Sequence, residues 1–248
     1  MTSTAPTSAA DFINALREAR APAELPRIRQ RLAPGDDAIG MRMRDVFDTS
    51  RSAISMPLDE VEELFASPLY EARLGALCIL DFRARSPRTQ ETERARLYEL
   101  YLGHHDRITT WDMVDRAAPS VVGGHLLDRT CEVLHELAAA EDPLRRRTAI
   151  TAPLAFVRWG DDAHVAEVFL LAAVLAGDRD PLVHKAVGIA LKHAGARDPR
   201  AVSQFLDAYA GVLPRAALRS ATEKLDPRDR ARHLRTAAAP GDRRRRPG

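Results

Sequence analysis

The chain has 248 residues, of which 45% are hydrophobic and 29% charged, with a formal net charge of +2. These proportions exclude a chain that is disordered over most of its length, and no apolar run reaches the roughly 18 residues of a membrane-spanning helix. The opening stretch Met1 to Ala10 has neither the basic start nor the apolar centre of a secretory leader, so a cytoplasmic location is expected, with no membrane partner.

Helical periodicity dominates from end to end, and no alternating strand pattern stands out. After an N-terminal arm, residues 1–10, expected to be disordered, helices are expected over Asp11 to Arg20, Leu25 to Leu32 and Met41 to Ser50. The next pair spans Pro57 to Ala66 and Pro68 to Arg85, with Leu58, Val61, Leu64 and Phe65 on one apolar face and Leu74, Leu77, Cys78 and Leu80 on the other. Thr89 to Leu102 pairs with Thr110 to Ala118, which Pro119 closes. There follow Val121 to Ala140, Leu144 to Trp159, Ala163 to Ala176, Pro181 to Ala196, Pro199 to Ala210, Pro214 to Lys224 and Pro227 to Thr236. Proline opens helix after helix, at the position where its missing N–H costs least. Residues 237–248, with Pro240-Gly241 and Arg243 to Arg246, are expected to form a disordered basic tail, leaving residues 11–236 as one domain.

Within this array one step recurs: Trp111 to Arg147 is 36 residues, Arg147 to Lys185 is 38, and Lys185 to Arg219 is 34. That is the spacing of two-helix repeats, which stack into a solenoid with one concave face. Charge is distributed unevenly along it. Pro181 to Gly248 holds 15 Lys and Arg against 6 Asp and Glu, so the basic excess lies in the last third, where a polyanion partner is suggested. The two cysteines, Cys78 and Cys131, sit far apart inside apolar patterns and read as buried free thiols of a reducing compartment. His104-His105-Asp106 is the one dense run of possible metal ligands, but it lacks spaced partners and is explained by capping at a helix junction, so no metal site is expected.

The stretch Ile108 to Pro119 places Trp111 and Asp115 four residues apart, one above the other on a helix. By itself this is as well explained by a core tryptophan and a solvated or capping carboxylate. It stands, however, at the head of four ordered segments. These are Thr110-Trp111-Asp112-Met113-Val114-Asp115 with Pro119, then Arg146-Arg147-Thr148-Ala149-Ile150, then Val183-His184-Lys185-Ala186-Val187-Gly188 with Leu191-Lys192, and then Leu213-Pro214-Arg215 with Leu218-Arg219 and Glu223-Lys224. In order and interval they resemble the AlkD family of DNA alkylation repair glycosylases, over roughly Ser67 to Leu234. Ile39-Gly40-Met41-Arg42 looks like a degraded form of that family's N-terminal motif.

The resemblance implies an all-α fold, a right-handed α-solenoid of HEAT-like two-helix repeats with a concave basic face. It also implies a DNA glycosylase of base excision repair. Such an enzyme hydrolyses the N-glycosidic bond of positively charged alkylated purines (N3-alkyladenine, N7-alkylguanine) in duplex DNA, without flipping the base. The cationic base is already a good leaving group, so the protein has to stabilise an oxocarbenium-like sugar and orient water. On this match Asp115 is the catalytic carboxylate and Trp111 the ring packed beside the sugar. Arg147 holds the lesion-bearing strand, and Lys185, Lys192, Arg215 and Arg219 contact phosphates along the duplex. No cofactor is implied, and a monomer acting on double-stranded DNA with alkylated bases is expected.

Two departures bear on the aromatic cradle. Ile189 and Leu144 stand where the family commonly has tryptophans, and Trp159, elsewhere in its repeat, is expected to pack between helices rather than replace them. A second reading therefore stays open: a non-catalytic HEAT-like module that binds DNA or protein.

Overall fold

The computed structural model describes residues 5–236; the expected basic tail, 237–248, and the first four residues of the expected N-terminal arm lie outside that range. The described chain is all-helical, without a strand. Its one β-type pairing is an isolated parallel bridge between Asp37 and Leu69. None of its helices is long and apolar enough to cross a membrane. The helices group into two compact units, Met1–His125 and Leu126–Gly248, each with a core of its own.

The first unit contains α1 (Ala9–Glu18), α2 (Leu25–Arg29), α3 (Met43–Ser52), α4 (Leu58–Ala66), α5 (Tyr70–Ala84), α6 (Glu91–Gly103) and α7 (Trp111–Ala117). The chain reaches α1 earlier than the sequence pattern suggests, because the Ser8 hydroxyl caps it by accepting from Asp11 N. Helix α5 is the axis of this unit. It packs against α3, α4, α6 and α7, and nearly every residue from Tyr70 to Asp81 is buried. Leu74, Leu77, Ile79 and Leu80 supply apolar area, each contributing about 1.5–3 kcal/mol on full burial. Gly75 admits the Phe12 ring of α1: a Cβ there would stand 2.5 Å from the ring, so any side chain would push α1 away.

The second unit holds α8 (Glu132–Ala138), α9 (Pro143–Thr151), α10 (Leu154–Trp159), α11 (Asp162–Leu175), α12 (Pro181–Arg197), α13 (Pro199–Tyr209), α14 (Arg215–Ala221) and α15 (Pro227–Thr236). Here α12 is the axis, packed against α9, α11, α13 and α14. Four starts repeat one device, an Asp cap followed by Pro: Asp142-Pro143, Asp180-Pro181, Asp198-Pro199 and Asp226-Pro227, each carboxylate accepting from a backbone N–H of the first turn. Helices α9, α12 and α14, which carry the 38- and 34-residue steps, are neighbours in space, as two-helix repeats require.

Two expected long helices are broken. Leu144 to Trp159 splits into α9 and α10, because Pro153 has no N–H to continue the ladder. Val121 to Ala140 exists as a helix only in its last part, α8. Before it the chain runs from α7 straight into a π-turn, Ala118–Gly123, and then a 3-10 turn, Leu126–Asp128. Pro119 thus does not stop the chain's coiling. It widens it, and Gly124 N–H donates to Pro119 O five residues back.

Candidate functional site

Helix α7 has a sharply divided surface. Asp112, Met113, Val114 and Ala117 are buried, whereas Trp111, Asp115 and Arg116 are half-exposed. Trp111 and Asp115, four residues apart, differ in direction by only about 40° and so share the open side. Arg116, the next residue round the helix, is turned into the unit. Its guanidinium lies 4.4 Å from the Phe47 ring centre and 4.6 Å from that of Phe82, and meets the Asp81 carboxylate at 2.7 Å. Burial holds the Asp81 carboxyl above the usual carboxylate range, while the Ser120 hydroxyl from the π-turn and the arginines Arg116 and Arg85 pull against that shift.

What fixes α7 is a polar core whose members are scattered through the first 112 residues. Tyr70 Oη donates to Asp112 Oδ2 at 2.5 Å, Thr110 Oγ1 donates to Asp112 Oδ1 at 2.6 Å, and Arg31 Nη2 lies 3.3 Å from the same carboxylate. Burial and the adjacent carboxylate push the Tyr70 phenol up, so it remains a protonated donor. One residue earlier, Thr109 Oγ1 donates to Asp36 at 2.6 Å. The fully buried Arg73 guanidinium meets Asp36 at 2.6 Å and reaches Thr109 at 3.2 Å and Ser67 O at 2.9 Å. A third member, Glu71, accepts from the backbone N–H groups of Ile39 and Gly40, at 2.9 Å each. The entry to α7 is thereby anchored on both sides by α5. Asp112, also placed favourably in the first turn for the helix dipole, serves structure, while Asp115 is half-exposed.

The second unit carries the predicted basic residues in differing environments. Lys185 is exposed on α12. Lys192, two turns further on, is half-buried with its ammonium 2.7 Å from Glu223. Arg215 and Arg219 are exposed on α14, Arg215 also donating to Leu234 O at 3.4 Å. Arg147 differs from these. It is only 1% exposed, among the largest fully buried side chains, and its Nη1 donates to the Leu182 carbonyl at the start of α12. The repeat step therefore relates Arg147 and Lys185 in helix position but not in exposure. Its neighbour Arg146 is a fork on Asp178, at 2.6 and 3.3 Å, and also donates to Ala140 O and Glu141 O.

At the positions of the two missing tryptophans, Leu144 is buried and Ile189 half-buried. Trp159 does not pack between helices. It ends α10 with 49% of its surface exposed, and the Arg158 guanidinium lies 4.9 Å from its ring centre. The histidine run also has local partners: His104 Nε2 is 2.9 Å from Glu62 with the ring stacked on Phe65, and His105 is buried edge-on to Tyr101. No group of three His, Cys, Asp or Glu suited to a metal occurs among the described residues. Cys78 is a buried thiol, pushed up to about 12 by desolvation, whereas Cys131 is half-buried at the start of α8.

The sequence pattern singled out Trp111 and Asp115 but not the residues that hold them. Their signal was present in α5, where Tyr70, Glu71 and Arg73 interrupt a helix otherwise suited to complete burial, since buried charge needs partners. No curated protein matches the chain. A model of the family described as "DNA alkylation repair enzyme" matches residues 12–225, nearly the whole described length, and the chain belongs to that family.

Proposed function

We propose that the protein is a DNA glycosylase that hydrolyses the N-glycosidic bond of positively charged alkylated purines, N3-alkyladenine and N7-alkylguanine, in duplex DNA without base flipping. The observation that carries this reading is the division of α7: Asp112 is buried and held by Tyr70, Thr110 and Arg31, while Asp115 is half-exposed on the same side of the helix as Trp111. A carboxylate held on a rigid helix next to an aromatic face suits a developing sugar cation. Asp115 stabilises the oxocarbenium charge and orients water, and Trp111 adds the negative face of its ring. The departing base already carries a positive charge, so no general acid is required of the protein. Lys185, Lys192, Arg215 and Arg219 contact phosphates and set position without reading sequence. Arg147, buried where α9 meets α12, serves the lesion-bearing strand indirectly, by holding those two helices together.

Purified protein incubated with a duplex containing N7-methylguanine should release the free base, and Asp115→Asn should lose most of that release. Release no faster than the spontaneous rate overturns the reading. In that case, salt-sensitive duplex binding that Asp115→Asn leaves unchanged marks the chain as a non-catalytic DNA-binding module, the role to which Ile189 and Leu144, in place of aromatics, are suited.

A further inference from the structure

Three arginines of the first unit converge on one phenyl ring. The guanidinium carbons of Arg51, Arg85 and Arg116 lie 4.9, 5.6 and 4.6 Å from the Phe82 ring centre, and that of Arg116 also lies 4.4 Å from the centre of Phe47. Each comes from a different helix: Arg51 from the last turn of α3, Arg85 from the C-cap of α5 and Arg116 from the last turn of α7. Arg51 to Arg85 is 34 residues and Arg85 to Arg116 is 31, close to the two-helix step of the second unit. The C-terminal end of a helix favours a basic residue, which accounts for one arginine on each helix but not for three on one ring.

Their charge is only partly met. The Asp81 carboxylate takes Arg85 at 2.6 Å and Arg116 at 2.7 Å on Oδ2, and its Oδ1 accepts from the Ser120 hydroxyl, so neither oxygen serves Arg51. Arg51 is exposed and forms no ion pair among the described residues. Other carboxylates close by in the sequence are engaged: Asp48, on the same helix, pairs with Arg44 at 3.4 Å, and Glu93 pairs with Arg83 at 3.6 Å. Three guanidinium charges thus face one carboxylate, all within about a Debye length of one another, where like charges still repel. An aromatic ring takes up the face of a guanidinium and leaves its N–H edge open, and a planar fork with open donors suits the oxygens of a phosphate. Arg51 and Arg85 are both exposed, which brings those edges within reach of a ligand. We propose that Arg51 and Arg85, backed by Arg116 and seated on Phe82, bind a phosphate group of the DNA backbone. DNA as the source of that phosphate rests on the reading of the chain as a glycosylase of duplex DNA. Arg116 follows Asp115 directly on α7, so a phosphate held here lies beside the helix that carries the proposed catalytic carboxylate. The first unit thereby has a cationic contact of its own, apart from the basic residues of α12 and α14.

The test is binding of a fluorescein-labelled, unmodified duplex by the full chain, followed by anisotropy over a salt series. Arg51→Gln, at an exposed position, should melt with the parent chain, bind the duplex several-fold more weakly and lower the slope of log K against log salt by about one. Arg51→Lys keeps the charge but loses the planar fork on Phe82, and should keep the slope while binding more weakly than the parent. Arg20→Gln, also exposed in the first unit, removes the same charge elsewhere and should leave slope and affinity unchanged. A slope unaffected by Arg51→Gln, an equal loss in Arg20→Gln, or an Arg51→Lys indistinguishable from the parent overturns the proposal. A separate arm adds inorganic phosphate, against chloride at matched ionic strength, to thermal melts. Stabilisation by phosphate that Arg51→Gln abolishes, with duplex slopes that coincide, marks a site for free phosphate and overturns the assignment to DNA. Base release from an N7-methylguanine duplex by the parent chain keeps the two readings apart. Release together with an Arg51-independent slope overturns this site alone, whereas an Arg51-dependent slope without release supports the site and overturns the glycosylase.

Discussion

The Tyr70 hydroxyl and the Asp112 carboxylate are 2.5 Å apart in the interior of the first unit, and Arg31 bonds to both, at 2.8 Å to the phenol oxygen and 3.3 Å to the carboxylate. Asp115, three residues further along the same helix, is half-exposed. Asp112→Ala would leave Tyr70, Thr110 and Arg31 without their shared acceptor and should destabilise the unit by about 3 kcal/mol. Tyr70→Phe, which removes one donor while the others remain, should cost about 1–2 kcal/mol. Asp115→Asn, at a half-exposed position, should lower stability by less than either. Calorimetric melts of the three variants check this; an Asp115→Asn variant as unstable as Asp112→Ala would make Asp115 a structural residue.

Close approach of helices gives a second expectation. A Cβ at Gly188 of α12 would lie 2.8 Å from both the Cα and the carbonyl oxygen of Ala217 on α14, and 3.0 Å from the Ser220 Cβ. In an unpacked helix Gly→Ala is favourable by about 1 kcal/mol. Here backbone stands opposite, so Gly188→Ala should instead destabilise by about 1–3 kcal/mol as α14 is displaced. Gly211, with nothing within 4 Å of its Cβ position, is the control: Gly211→Ala should be neutral or slightly stabilising in the same denaturant titration.

Helix positions were largely legible because the signals are local. A proline in the first turn, a capping Asp before it and an apolar 3.6-residue period each act within about a turn, and α12, α13 and α15 begin at the prolines that announce them. Breaks were harder to read. Pro153 lies within a run that keeps its apolar period on both sides, so period alone joins α9 to α10. The polar interior was least legible. Arg31, Tyr70 and Asp112 come from positions 39 and 42 residues apart, and nothing in periodicity says which buried cation finds which carboxylate. The same limit applies to Arg147. Its spacing from Lys185 suggests a common surface, but exposure depends on the carbonyl of Leu182 lying within its reach.

That difference predicts different phenotypes for two basic residues. Arg147→Ala removes a buried charge-assisted bond and a large volume between α9 and α12, and should lower stability by about 3 kcal/mol. Lys185→Ala, at an exposed position, should leave the melt within about 0.5 kcal/mol of the parent chain. In duplex binding, Lys185→Ala should weaken affinity and lower the slope of log K against log salt by about one. Fluorescence anisotropy over a salt series measures that slope, and an unchanged slope would remove Lys185 from the phosphate contacts.

A pH effect follows from His233 on α15. The ring is buried, with Nε2 2.9 Å from the Ser203 hydroxyl of α13. Burial, and then the charge of Arg232, hold its pKa below the ordinary histidine value, while Asp207 and Asp229 oppose that shift. In the unfolded chain the ring takes up a proton near pH 6.5, whereas in the folded chain it resists until the pH is lower. The unfolded state therefore binds more protons over that interval, and stability falls as pH drops below about 6.5 toward the depressed folded pKa. Replacing the ring with an uncharged amide, His233→Gln, should flatten this part of the stability profile, at some cost in packing at neutral pH. His164 acts in the opposite sense, its pKa raised chiefly by the hydrogen bond to Asp161, so the comparison must be made variant against parent. Urea midpoints from pH 7.5 to about 5 provide it: the difference between parent and His233→Gln should shrink as pH falls, and a difference constant with pH would show that His233 does not titrate with folding.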